Sequence, residues 1–254
     1  MKVFLRTHIT AIVLALAISL GLSSAAPAQL PFELTDQERA NFKVILKPAR
    51  YDESDDKIEL VTVFWYGCAS CRSSDATTSL FASSLPEDVR ATRLPGLFDN
   101  ARMPFQTHAR LFFVLDELNA ESAARQAAFD TALNVHNPNA RNYGLITKES
   151  QETFAASQGI SRAAFNAAYD SPAVAGKEAR AKTFLENSGI DAVPGMIING
   201  RYVITNFDGP YYQLAEKLIN HERDRLAKAK AEAAKAGEAK GDAAKADEAK
   251  AGER

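Results

Sequence analysis

Cysteine is nearly missing from this chain. Its 254 residues hold only two, Cys68 and Cys71. That excludes a small scaffold stapled by several disulfides, so stability has to come from an apolar core. An excess of one charge is missing too. Thirty Lys and Arg against 32 Asp and Glu leave a net charge of -2, without the basic footprint of a nucleic-acid binder. Histidine is sparse and scattered, with His8 near the start, His108 and His136 far apart and His221 late in the chain. A structural zinc site needs four ligands, and two cysteines supply half of them. Residues 9–22, "ITAIVLALAISLGL", are apolar but too short for a comfortable membrane span.

What is present describes an exported globular protein. The apolar share of 46 % and the charged share of 24 % are those of ordinary soluble domains. Lys2 and Arg6 precede the apolar run, and small residues with Ala26-Pro27-Ala28 follow it. This pattern predicts a signal peptide over residues 1–28, cut after Ala28, with an uncleaved anchor as the alternative. Residues 29–220 are expected to form the folded domain. Residues 221–254 are a low-complexity Ala/Lys/Glu tail without an aromatic residue. Such a stretch cannot bury apolar surface and is expected to be disordered or partly helical. A partner-binding role is the sharper alternative.

Within the domain, residues 42–46 suggest a first strand. Residues 58–66, "IELVTVFWY", form a β-branched and aromatic run, the pattern of a strand buried on both faces. A helix is expected over 73–85, stopped by Pro86, and a strand over 89–98. Between 103 and 187 apolar residues recur at helical spacing, predicting four or five helices. Strand character returns over 194–204, where Asn199-Gly200 between two apolar runs signals a hairpin. Gly209-Pro210 then opens a helix through Leu218.

The two cysteines stand directly after the apolar run, in "VFWYGCASCR". Half a metal site and an inert clip are two readings, although closing so short a loop gains little. Redox chemistry is the third. A buried strand running through Cys-x-x-Cys into a helix places the first sulfur at the helix N-terminus, where free N–H groups and the macrodipole favour an anion. The thiolate is the reactive species. Cys68 is then the exposed attacking sulfur and Cys71, one turn in, the more buried resolving thiol. Ser70 offers a hydroxyl to Cys68, and Arg72 either adds positive potential or is solvated. A second element, "DAVPG", sets Pro194 at the opening of a strand. Phe105, Phe112 and Phe113 are read as core residues with a substrate groove beside the thiols as the alternative, Trp65 as a core residue or a fluorescent reporter of the pair's redox state, and His108 as a surface or cap residue.

These residues resemble the thioredoxin superfamily, and more closely the bacterial DsbA-like periplasmic thiol:disulfide oxidoreductases. The resemblance is carried by "FWYGCASC", by "GIDAVPGMIINGRYVI" and by the helical stretch between them. It implies an α/β, thioredoxin-like fold with a core of 41–102 and 188–220. A large helical insertion, 103–187, would lie between the Cys-x-x-Cys helix and the cis-proline strand. It further implies a redox-active Cys68–Cys71 disulfide, no other cofactor and no metal. Cys68 and Cys71 would be catalytic. Val193, a cis Pro194, Ala69 and Ser70 would meet the substrate, with Val193 offering backbone groups to an extended chain. The implied activity introduces disulfides into reduced or misoxidised exported proteins, with reoxidation by a DsbB-like membrane partner. A periplasmic monomer that binds no nucleic acid is expected. A reductase or isomerase on the same fold and a non-redox binding protein are the alternatives. Two departures matter. Ala69-Ser70 stands where the best-known oxidising members carry Pro-His, so Cys68 is expected to ionise below a free thiol but less readily than in those members. Thr62 stands where many relatives place an acid, and Glu59 is out of register. No buried carboxylate is therefore expected to relay protons, and release of Cys71 is expected to be slow.

Overall fold

Residues 58–64 have every side chain buried, so the strand they form (β2, Ile58–Phe64) has to lie inside a sheet covered on both faces. The computed structural model, which describes residues 34–137, 142–205 and 211–251, places it there. The predicted signal peptide and the Gly209-Pro210 step lie outside the described residues. Five strands pair in the order β1-β5-β4-β2-β3. Here β1 is Phe42–Val44, β3 is Val89–Pro95, β4 is Gly195–Ile198 and β5 is Tyr202–Ile204. β2 runs parallel to β3 and antiparallel to β4. Leu60, Val61 and Val63 are at most 1 % exposed, each worth about 1.5–3 kcal/mol of burial.

The helices follow the chain order α1 (Asp36–Ala40), α2 (Ala69–Ser84), α3 (Phe105–Glu117), α4 (Glu121–Ala132), α5 (Lys148–Ser157), α6 (Arg162–Tyr169), α7 (Pro172–Ser188) and α8 (Tyr211–Ala251). The 103–187 stretch thus carries five helices among the described residues, between β3 and β4. Its main packing element is α3, which buries Phe105, His108, Ala109, Phe112 and Leu115 at helical spacing. α4 is docked by Phe129, whose ring lies 5.7 Å from Phe64 and 5.3 Å from Tyr66. α7 ends at Gly189, whose φ of 66° is the left-handed cap that stops it.

β4 and β5 join through Asn199 (φ 47°) and Gly200 (φ 61°), the left-handed pair of a two-residue hairpin turn. A Cβ at Gly200 would collide with the Ala49 backbone. Two expectations shift. The helix expected from Ser73 begins at Ala69, because the cap that starts it is Cys68 itself. The helix expected to end at Leu218 continues to Ala251, through the predicted tail, and Glu222 within that stretch is fully buried.

Candidate active site

The chain leaves β2 through Trp65, Tyr66 and Gly67, and the Cys68 N–H closes the turn onto the Trp65 carbonyl at 3.0 Å. Gly67 is required here, since a Cβ would run into the Trp65 ring. Cys68 then caps α2 with extended backbone (φ -103°, ψ 111°). Its sulfur accepts the Cys71 N–H at 3.0 Å. In an ordinary helix a serine or aspartate oxygen fills that place. The two sulfurs are joined as a disulfide. A disulfide sulfur has no hydrogen to give, so the Ser70 hydroxyl at 3.3 Å donates to Cys68 Sγ.

Residues distant in sequence converge on this cap. The Val193 carbonyl oxygen lies 3.9 Å from Cys68 Sγ, and the Val193–Pro194 peptide is cis. Cys68, Cys71, Ser70, Val193 and Pro194 therefore meet at one end of the sheet. Ala69 and Ser70 are exposed beside them, while Val193 and Pro194 are half-buried. Cys68 is better covered than an exposed attacking sulfur would be, at 9 % exposure against 3 % for Cys71. A groove of about 520 Å³ opens on the same prolyl loop, lined by Leu97, Phe98, Phe105, Ile190 and Asp191. A cavity of about 310 Å³ beside Asn199 and Arg225 lies at the far end of β4 and holds none of the predicted residues.

The surroundings correct three further expectations. Arg72 is neither aimed at the sulfur nor simply solvated, since its Nε donates to Asp130 at 2.5 Å and ties α2 to α4. His108 is fully buried rather than at the surface, because α3 turns it inward against the Trp65 ring, 5.7 Å away. Its Nε2 lies 2.8 Å from the Gly144 carbonyl, which fixes a neutral ring donating from Nε2. A carboxylate also does stand behind the pair. Asp75 of α2 contacts Arg93 of β3 at 2.8 Å, and both side chains are mostly buried. Spacing could have found Asp75, four residues after Cys71 and on the same helix face. Arg93 needed the β2–β3 register, which sets it beside Thr62. Tyr66 donates to Glu121 at 3.2 Å, Glu121 pairs with Arg125 at 2.6 Å, and Arg125 reaches Asp75 at 3.9 Å. Burial and the Glu121 charge hold the Tyr66 hydroxyl well above the ordinary tyrosine value. Glu59 is buried at the other end of β2, where it accepts the Tyr51 and Asp52 N–H groups. Burial raises its carboxyl above the usual range. No group of metal-ligating side chains occurs among the described residues.

His108 carries a pH prediction. Burial pushes its pKa down to about 4. The unfolded chain therefore binds a proton that the folded chain refuses between about pH 6.5 and 4. Stability is expected to fall by about 3 kcal/mol as pH drops through that window. Denaturant titrations of the wild type and His108→Gln, whose amide can still reach the Gly144 carbonyl, should show the slope only in the wild type. Equal slopes would exclude His108 as its source.

No family model matches the chain. Curated relatives do. The chain is 34 % identical over 186 residues to the thiol:disulfide interchange protein DsbA of Pseudomonas syringae pv. tomato, covering 70 % of this chain and 79 % of that one. It is 35 % identical over 174 residues to the DsbA of Azotobacter vinelandii, covering 66 % and 76 %. Among solved structures, Pseudomonas aeruginosa DsbA superposes with a TM-score of 0.65 at 29 % identity, over 73 % of this chain and 94 % of that one. The α/β architecture is thus a thioredoxin-like fold with a helical insertion.

Proposed function

Since this chain belongs to the DsbA family of thiol:disulfide interchange proteins, we propose that it works as the oxidising type, introducing disulfides into exported proteins in the periplasm. The thiol:disulfide oxidoreductase activity comes with the family, and the direction of electron flow is the proposed part. A substrate thiolate attacks Cys68 Sγ, the Cys68–Cys71 bond breaks, and Cys71 leaves with the electron pair and takes up a proton. A second substrate thiolate then attacks the substrate sulfur of the mixed disulfide, and Cys68 leaves as a thiolate.

The observation that carries this reading is the position of Cys68 Sγ on the N-cap of α2. There it accepts the Cys71 N–H, receives the Ser70 hydroxyl and faces the positive end of the helix. Each contact favours the thiolate, and stabilising the reduced form makes the disulfide more oxidising. Val193 and Pro194 would hold an extended substrate beside the sulfur, with Ala69 and Ser70 on the other side. Apolar side chains of that substrate fit the groove over Leu97, Phe98 and Phe105. The reading includes export by the predicted signal peptide, a monomer, and reoxidation by a DsbB-like membrane partner.

The Ala69-Ser70 dipeptide supports the runner-up. It offers the sulfur a neutral hydroxyl and no cation, which draws the potential toward that of a reductase. Equilibration in glutathione buffers decides between them. The oxidising reading expects a potential well above the roughly -270 mV of thioredoxin. A value at or below that one would make the protein a reductase.

A further inference from the structure

At the hairpin end of the sheet, away from the sulfurs, arginines from three separate segments line one cavity of about 310 Å³. That is the lower end of the range for ligand pockets, roughly 300–1,000 Å³. Arg50 comes from the loop between β1 and β2, Arg201 from the turn between β4 and β5, and Arg225 from α8. Backbone contacts draw these segments together. The Ile45 N–H donates to the Arg201 carbonyl at 2.7 Å, and the Ala49 backbone lies too close to Gly200 for a Cβ to fit between them. Lys230, further along α8, adds a fourth cation to the lining.

The donors that these cations still hold decide what the cavity takes. Arg225 commits Nε and Nη2 to the buried Glu222 carboxylate, at 3.0 and 2.7 Å, and keeps Nη1. Arg201 reaches the same carboxylate only at 3.7 Å, beyond hydrogen-bond distance, so its guanidinium makes no side-chain hydrogen bond among the described residues. Arg50 donates Nη1 to the Asp55 carbonyl at 2.8 Å, while its Nε and Nη2 lack a hydrogen-bond partner. The Asp55 carboxylate stands 3.6 Å from Arg50 and is held closer by Arg90, at 3.1 Å. Glu222 thus orients two arginines and neutralises one. The acids in the lining itself are Glu53 and Asp56. Asp56 pairs with Lys230 at 3.0 Å, and the exposed Glu53 has no ion pair among the described residues. A guanidinium fork matches the oxygens of a phosphoryl group two at a time.

We propose that this cavity is a binding site for a phosphoryl anion carrying two or more negative charges. Arg201 supplies its open fork, Arg225 its free Nη1, and Arg50 and Lys230 the surrounding positive charge. The bound anion bridges the loop before β2, the hairpin turn and α8, so it fastens to the sheet the helix that continues to Ala251. The site is independent of the direction of electron flow, because the sulfurs lie at the Pro194 end of β4.

Calorimetric titration of the full chain with inorganic pyrophosphate at constant ionic strength tests the site. The wild type should bind one equivalent saturably. Arg201→Gln should weaken binding at least about tenfold, the loss of one hydrogen bond between charged partners. Glu53→Gln should strengthen it severalfold, since it removes an unpaired acid that competes for the same arginines. Lys148→Gln takes a positive charge from α5 and should leave the affinity unchanged. No saturable binding at millimolar pyrophosphate, or equal weakening by Arg201→Gln and Lys148→Gln, would overturn the site. Should Arg201→Gln fail to fold, Lys230→Gln and Glu53→Gln alter exposed residues only, and affinities that fail to move in opposite directions would overturn it equally. Vesicles of phosphatidylcholine with a minority of cardiolipin separate the two sources of such an anion. Cosedimentation that Lys230→Gln weakens and Glu53→Gln strengthens assigns a lipid headgroup, whereas pyrophosphate binding without cosedimentation assigns a free anion.

Discussion

Cys68→Ser is expected to bring thiol exchange down to the uncatalysed background, while Cys71→Ser leaves a protein that reacts but cannot let go. The asymmetry follows from where each sulfur sits. Cys68 Sγ is the atom that receives the Cys71 N–H and the Ser70 hydroxyl, so it is the sulfur whose anion the cap stabilises. A serine hydroxyl at the same cap stays protonated near neutrality and cannot form the mixed disulfide. Cys71 is held one turn away, positioned to attack only the neighbouring sulfur. Well-oriented internal attack competes as if the nucleophile were present far above the millimolar thiol of any buffer. Without Cys71 that advantage is lost, and mixed disulfides should persist on the order of a thousandfold longer. Non-reducing gels of Cys71→Ser incubated with an unfolded exported protein that carries a disulfide should show Cys68-linked adducts, formed as the Cys68 thiolate displaces one sulfur of that disulfide as a thiolate, and dithiothreitol should release them. If Cys71→Ser gives none while Cys68→Ser does, the two roles are exchanged.

How much of this was legible in the sequence depended on whether the signal was local. The unbroken run of 58–64 announced a central strand because nothing but burial on both faces explains seven such residues together. Asn199-Gly200 announced the hairpin because few other pairs accept two left-handed conformations in succession. For α2 two signals disagree: composition puts its start near Ser73, while the Cys-x-x-Cys motif puts it at the first sulfur, and the structure follows the motif, with Cys68 Sγ taking the N–H that an oxygen normally takes. One histidine in an apolar helix gives no hint which face it occupies, so the burial of His108 shows only in the fold. Asp75 is hidden from a family pattern that puts the acid on β2. The structure brings it from α2, and its partner Arg93 from a strand that only pairing places beside it.

The stretch after residue 220 carries a prediction of its own. Composition turns to alanine, lysine and glutamate after residue 220, yet Glu222 is fully buried. It accepts the Asn199 side-chain N–H at 2.8 Å and is clamped by Arg225 at 2.7 Å. Asn199 also reaches the β2 backbone, its own N–H donating to the Glu59 carbonyl at 2.6 Å. One carboxylate thus fastens α8 to the turn that registers β4 against β5. Glu222→Ala is expected to cost about 3 kcal/mol. That is the low end for breaking a buried pair, because Arg225 is partly exposed and can turn to water while the Asn199 amide cannot. For a chain of this size it corresponds to a fall in Tm of roughly 10 °C. Glu232→Ala, on an exposed stretch of the same helix, should stay within about 0.5 kcal/mol. Equal losses for the two would mean that α8 is held by propensity alone and that the folded domain ends near 220. Because Glu222 acts at the hairpin end of β4 and the sulfurs lie at the Pro194 end, exchange measured at 25 °C should survive Glu222→Ala. A variant that is destabilised and also inactive at that temperature would show that the register set at Asn199 is transmitted along β4 to the prolyl loop.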